Sequence, residues 1–153
     1  MPIILHKHKK TLDKHTQSVI LIIMNNTKTE LASFDDLRFG DHHNGGGVRA
    51  YLEFGPVETE GENEGRHRYA ISVVANKNGS GSFYGNVEDD EYEVGMFHHG
   101  AWIPLSVSDD VLGWQSPAQI SKHMRDAQLN DFAWVTLLHQ LRNDHRKELG
   151  LDS

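Results

Sequence analysis

Hydrophobic and polar residues alternate with a period of two along much of the middle of the chain. Val48, Ala50, Leu52 and Phe54 stand against Arg49, Tyr51 and Glu53, the pattern of a strand with one face in a core and the other in water. Residues 69–74 predict a second strand, residues 82–84 a third that pairs back on it, and Tyr92, Val94 and Met96 the apolar face of a fourth. In the fifth, Ala101, Ile103 and Leu105 alternate with Trp102 and Pro104. Proline has no amide hydrogen to donate, which places this strand at an edge. The connections carry turn chemistry. Asn76-Lys77-Asn78-Gly79-Ser80-Gly81 suits the positive φ of a tight hairpin, and Glu88-Asp89-Asp90 makes the next turn. Residues 58–65, acidic and without periodicity, predict a mobile loop.

Beyond residue 115 the period changes. Ser116-Pro117-Ala118-Gln119 supplies a capping serine, proline at the first helical position and glutamine three residues after the cap. Ile120, Met124 and Ala127 follow at helical spacing, with His123 beside them as a core histidine. Leu129-Asn130-Asp131 interrupts the pattern. A second helix then carries Trp134, Leu137, Leu138 and Leu141 on one side, with Arg142, Arg146 and Lys147 ahead of Gly150 at its end. The expected fold is α+β: an antiparallel β-meander of about five strands with one or two C-terminal helices packed on one face.

Residues 24–150 account for a single domain. Residues 1–23 form a basic and aliphatic extension that admits two readings. Either translation starts at Met24, or the run Val19-Ile20-Leu21-Ile22-Ile23-Met24 is a strand behind a basic tail. That run is far shorter than the ~20 residues of a membrane helix and too short for a signal-peptide core. No cysteine is present, so disulfides, thiolate nucleophiles and Cys-containing zinc sites are excluded. A soluble cytoplasmic protein is expected. Net charge is -7; residues 1–23 hold Lys7, Lys9, Lys10 and Lys14 against Asp13, and the remainder hold 11 basic and 21 acidic side chains. An acidic surface repels phosphate, which argues against direct nucleic-acid binding and favours basic protein patches.

Candidate chemistry is sparse. Among eleven histidines, the pairs His42-His43 and His98-His99 are the candidate metal ligands, but neither has the helical i, i+4 spacing of a zinc site. His139 and His145 fall on different helix faces. The glycines of residues 79–85 lack the Gly-Lys-Ser/Thr of a phosphate loop and read as hairpin turns. The clustered carboxylates lie in turns, and no Gly-x-Ser-x-Gly elbow is present, so no catalytic residue and no cofactor are expected.

The ordered succession Ile71-Ser72-Val73-Val74, Gly81-Ser82-Phe83-Tyr84-Gly85, Glu91-Tyr92-Glu93-Val94-Gly95-Met96-Phe97 and Asp109-Asp110-Val111-Leu112-Gly113-Trp114, with Ser116 opening a helix, resembles a group of small tailed-bacteriophage and prophage proteins. The resemblance spans residues 34–129. It departs in the extra aromatic of the glycine motif, the acidic insertion at 58–65 and the second helix. It implies a phage accessory protein that acts by non-enzymatic binding to a host protein, in host takeover or counter-defence. The residues add a candidate surface for a basic patch: Glu88, Asp89, Asp90 and Tyr92, backed by Trp102 and Trp114. Two alternatives are a small-ligand or metal sponge with His42, His43, His98 and His99 at its mouth, and an acidic mimic of nucleic acid. The edge strand and the aromatics of the last helix permit a homodimer.

Overall fold

The computed structural model describes residues 31–43 and 45–151. Both readings of residues 1–23, and the first residues of the expected domain, lie outside these. Six strands form one antiparallel sheet: β1 (Gly40–Asp41), β2 (Gly47–Val57), β3 (His67–Asn76), β4 (Tyr92–His98), β5 (Ala101–Trp102) and β6 (Val111–Gln115). Their order is β1-β2-β3-β4-β5. β5 and β6 share the edge of β4 that β3 leaves free, β5 at its C-terminal end and β6 at its N-terminal end. A helical segment, α1 (Pro117–Glu148), follows. The α+β class and the antiparallel meander with its C-terminal helix are as the patterning predicts.

The alternation sets the faces. Ala50 and Phe54 of β2, Tyr69, Ile71, Val73 and Ala75 of β3, and Tyr92, Val94 and Met96 of β4 are buried, and they join Ile120, Met124, Ala127 and Val135 of α1 in one core. Each fully buried aliphatic side chain contributes roughly 1.5–3 kcal/mol, which is what holds helix to sheet. Ser116 caps the helix as expected: its hydroxyl accepts from the Gln119 amide at 3.2 Å while the Gln119 side chain accepts from the Ser116 amide at 2.8 Å. The predicted interruption is present as a single residue. Asp131, with φ 50° and ψ -132°, breaks an otherwise continuous helical segment.

Three local expectations are corrected. Residues 82–84 are no strand, because the side chain of buried Asn76 takes over their pairing: its Nδ2 donates to the Phe83 carbonyl at 2.7 Å and its Oδ1 accepts from the Phe83 amide at 3.1 Å. The fifth strand stops at Trp102. Beyond it, Ile103 is buried and its amide still donates to the Met96 carbonyl at 2.8 Å. Residues 58–65 lie outside any strand, the expected loop, and close the β2–β3 hairpin, with Glu58 and Arg66 paired through a 2.9 Å backbone bond and Gly65 donating to the Glu58 carbonyl at 2.9 Å. Finally, Leu137 and Leu141 are exposed, and only Val135, with Trp134 and Leu138 partly, joins the core. Arg142 ties this half of α1 to the β5–β6 connection, donating to the Asp110 carboxylate at 2.6 Å and the Ser106 carbonyl at 2.7 Å.

Candidate functional site

β6 carries a bulge. Tyr92 faces Gln115 and Val94 faces Leu112, so Gly113 and Trp114 together stand opposite Glu93. Trp114 occupies the bulge at φ 56°, a left-handed conformation that glycine adopts freely and that costs an L-residue roughly 1–2 kcal/mol. Burial does not offset this, since Trp114 is 50% exposed. Its amide donates to the Tyr84 carbonyl at 2.7 Å. Gly113 lets Tyr84 approach, since a Cβ there would lie 2.5 Å from the Tyr84 Cβ. Tyr84 is itself 54% exposed. Two half-exposed aromatics are thus joined through the backbone at the acidic β3–β4 connection.

The carboxylates around them differ in role. Glu88 is consumed by the fold: its oxygens accept from the amides of Asn78 at 2.8 Å and Gly79 at 3.0 Å, which holds its carboxyl below the usual range. Tyr92 is buried against Phe34 and Phe39, and its hydroxyl donates to Asp90 at 3.0 Å; Tyr92 is therefore part of the core and not of an open contact surface, whereas Glu88 and Asp90 are exposed. Burial pushes the Tyr92 hydroxyl up to about 12, and Asp90 adds to the effect. Asp89 remains exposed. Burial raises the Glu93 carboxyl, the Tyr84 amide partly offsets this, and Asp109 raises it further by repulsion. Among the described residues no cation pairs with Glu93. Exposed rings beside such carboxylates suit a lysine or arginine, which gains from both the π face and the charge.

The face of the sheet turned away from the core forms a grid fixed by strand register. One row is Arg49, Val74, Glu93; the next is Tyr51, Ser72, Gly95, Val111; the third is Glu53, Ala70, Phe97, Trp102. Trp102 packs on Phe97 with ring centroids 4.5 Å apart and lies across Gly95, where a Cβ would meet its ring at 2.6 Å. It is nonetheless 48% exposed, as is Tyr51, over whose ring the Arg49 guanidinium sits at 5.4 Å. Trp102 therefore belongs to this face.

The histidine pairs do not share one mouth. His42 follows β1 near the Asn76 end of β3, whereas His98 pairs with Tyr69 at the other end, about 23 Å away along the strand. Within each pair the rings stack, at 4.5 Å and 4.3 Å. Among the described residues no three His, Asp or Glu side chains gather to hold a metal. His123 bonds the Gln115 side chain at 2.8 Å, and burial lowers its pKa. At the His98 end the structure instead assembles an ionic clamp. Arg68 donates to both Glu58 oxygens, at 2.7 Å and 3.0 Å, and to Asp131 at 2.7 Å. The Tyr69 hydroxyl also donates to Asp131, and His99 meets Glu58. Arg68 first, then His99, hold the Glu58 carboxyl down at about 2. Burial and Asp131 raise the Tyr69 hydroxyl well above its ordinary range.

Among the described residues, no helix is long and apolar enough to cross a membrane. In comparisons with protein-family models, curated proteins and solved structures, none matches this chain.

Proposed function

We propose that the protein acts by binding a basic patch of another protein, through Trp114 and Tyr84 flanked by Asp89, Glu91 and Glu93, and that it performs no catalysis of its own. The observation that carries this reading is Trp114, a bulky residue at a left-handed bulge position that burial does not explain. Backbone strain of this kind persists where the surrounding structure enforces it, and it clusters at functional sites. The resemblance to small tailed-phage proteins supports a host protein as the partner, encountered in the bacterial cytoplasm during takeover or counter-defence.

The test is affinity capture from bacterial lysate followed by binding measurements on the captured protein. Asp89→Asn combined with Glu91→Gln is expected to weaken binding about tenfold at low salt, with the difference shrinking as salt rises. Unchanged affinity and no salt dependence would refute the acidic contribution.

A further inference from the structure

We propose that the open sheet face is the interface of a homodimer, two copies packing face to face about a two-fold axis that runs along β3. This goes beyond the surface around Trp114, with which it shares only Glu93. The argument begins with register. Arg49, Val74 and Glu93 lie in one row, so the cation and the carboxylate flank β3 on its two sides. Neither has an oppositely charged partner among the described residues: Arg49 rests over Tyr51, and burial and Asp109 both raise the Glu93 carboxyl. A two-fold axis along β3 exchanges the columns of β2 and β4 while keeping each row. It therefore sets Arg49 of each copy against the partner's Glu93.

The next row obeys the same operation. Tyr51 stands in the β2 column, and in the β4 column the place above Gly95 is filled by the ring of Trp102. The axis brings these two half-exposed aromatics together across the interface, twice. Along the axis itself lie Ala70, Ser72 and Val74, short side chains that let two sheets approach to the usual spacing of about 10 Å. Strands of the two copies run in the same sense, the aligned arrangement of packed sheets. The first two rows thus complement themselves in charge and in aromatic contact, as an isologous interface requires, while the third sets Glu53 against the partner's Phe97. A partner of uniform charge would leave either Arg49 or Glu93 unmatched. The face measures about 20 Å on a side, small for a stable interface, so the dimer is expected to dissociate on dilution.

Sedimentation equilibrium of the full chain over a dilution series tests this, with circular dichroism confirming the fold of each variant. The wild type is expected to pass from dimer to monomer on dilution. Arg49→Glu and Glu93→Arg are each expected to be monomeric at every concentration, and the double variant Arg49→Glu with Glu93→Arg to recover the dimer. Trp102→Ala is expected to weaken association at least tenfold, as for an aromatic hot spot. A wild type that is monomeric throughout would overturn the proposal and leave this face to a different occupant. Dimers that survive both single charge reversals, or a double variant that fails to recover them, would also overturn it.

Discussion

At the scale of single residues, glycines decide where the exposed aromatics sit. Gly95 leaves room for the Trp102 ring, and Gly113 leaves room for Tyr84. Gly95→Val should force Trp102 off the sheet and cost about 1–3 kcal/mol in thermal or denaturant unfolding; a melting curve like the wild type's would show that the ring can move at no cost. Neither contact is legible in the sequence, because each joins residues of different segments and alternation says nothing of where an outward side chain leans. Tyr92 is the reverse case. Its place with Val94 and Met96 on an apolar face already assigns it to the core, and the structure buries it, so reading it as a surface contact set composition above periodicity. Asn76 was legible as turn chemistry but not as the amide that replaces a strand pairing.

At the scale of elements, the break in α1 and the β2–β3 hairpin are held by one set of charges. Arg68 lies between Glu58 on the hairpin and Asp131 at the break, and Tyr69 adds a second donor to Asp131. Asp131→Ala removes the acceptor for both and should cost about 1–3 kcal/mol, read by chemical denaturation. The acid response follows from Glu58. Its folded pKa, about 2, lies below the ordinary carboxylate value, so its contribution to stability is complete above that value and is lost as pH falls through the folded one. Glu58→Gln should therefore flatten the decline in melting temperature between about pH 4.5 and about pH 2. An unaltered acid limb would place that stability in other carboxylates. The cap and the interruption of α1 could be read locally, since Ser116-Pro117-Ala118-Gln119 and Asn130-Asp131 are short-range signals. The clamp could not, because Glu58, Arg68 and Asp131 are brought together only by the pairing of β2 with β3 and the return of α1. The exposure of Leu137 and Leu141 was hidden for a related reason: helical spacing shows which residues share a side, not whether a sheet lies opposite.

At the scale of the whole molecule, one sheet separates three roles. Its inner face and α1 make the core, its outer face presents the self-complementary grid, and the bulged strand β6 presents Trp114 beside the acidic connection. The histidine pairs lie at opposite ends of β3 and share no common site. The central claim is that Trp114 is kept for binding and not for folding. Trp114→Gly separates the two, because glycine is at ease at the left-handed bulge position. Measured together on this variant, the melting temperature and the affinity for the captured partner give the most direct answer. The account predicts a melting temperature equal to or above that of the wild type, with affinity reduced at least tenfold. A variant that melts lower and binds its partner as tightly as the wild type would contradict it.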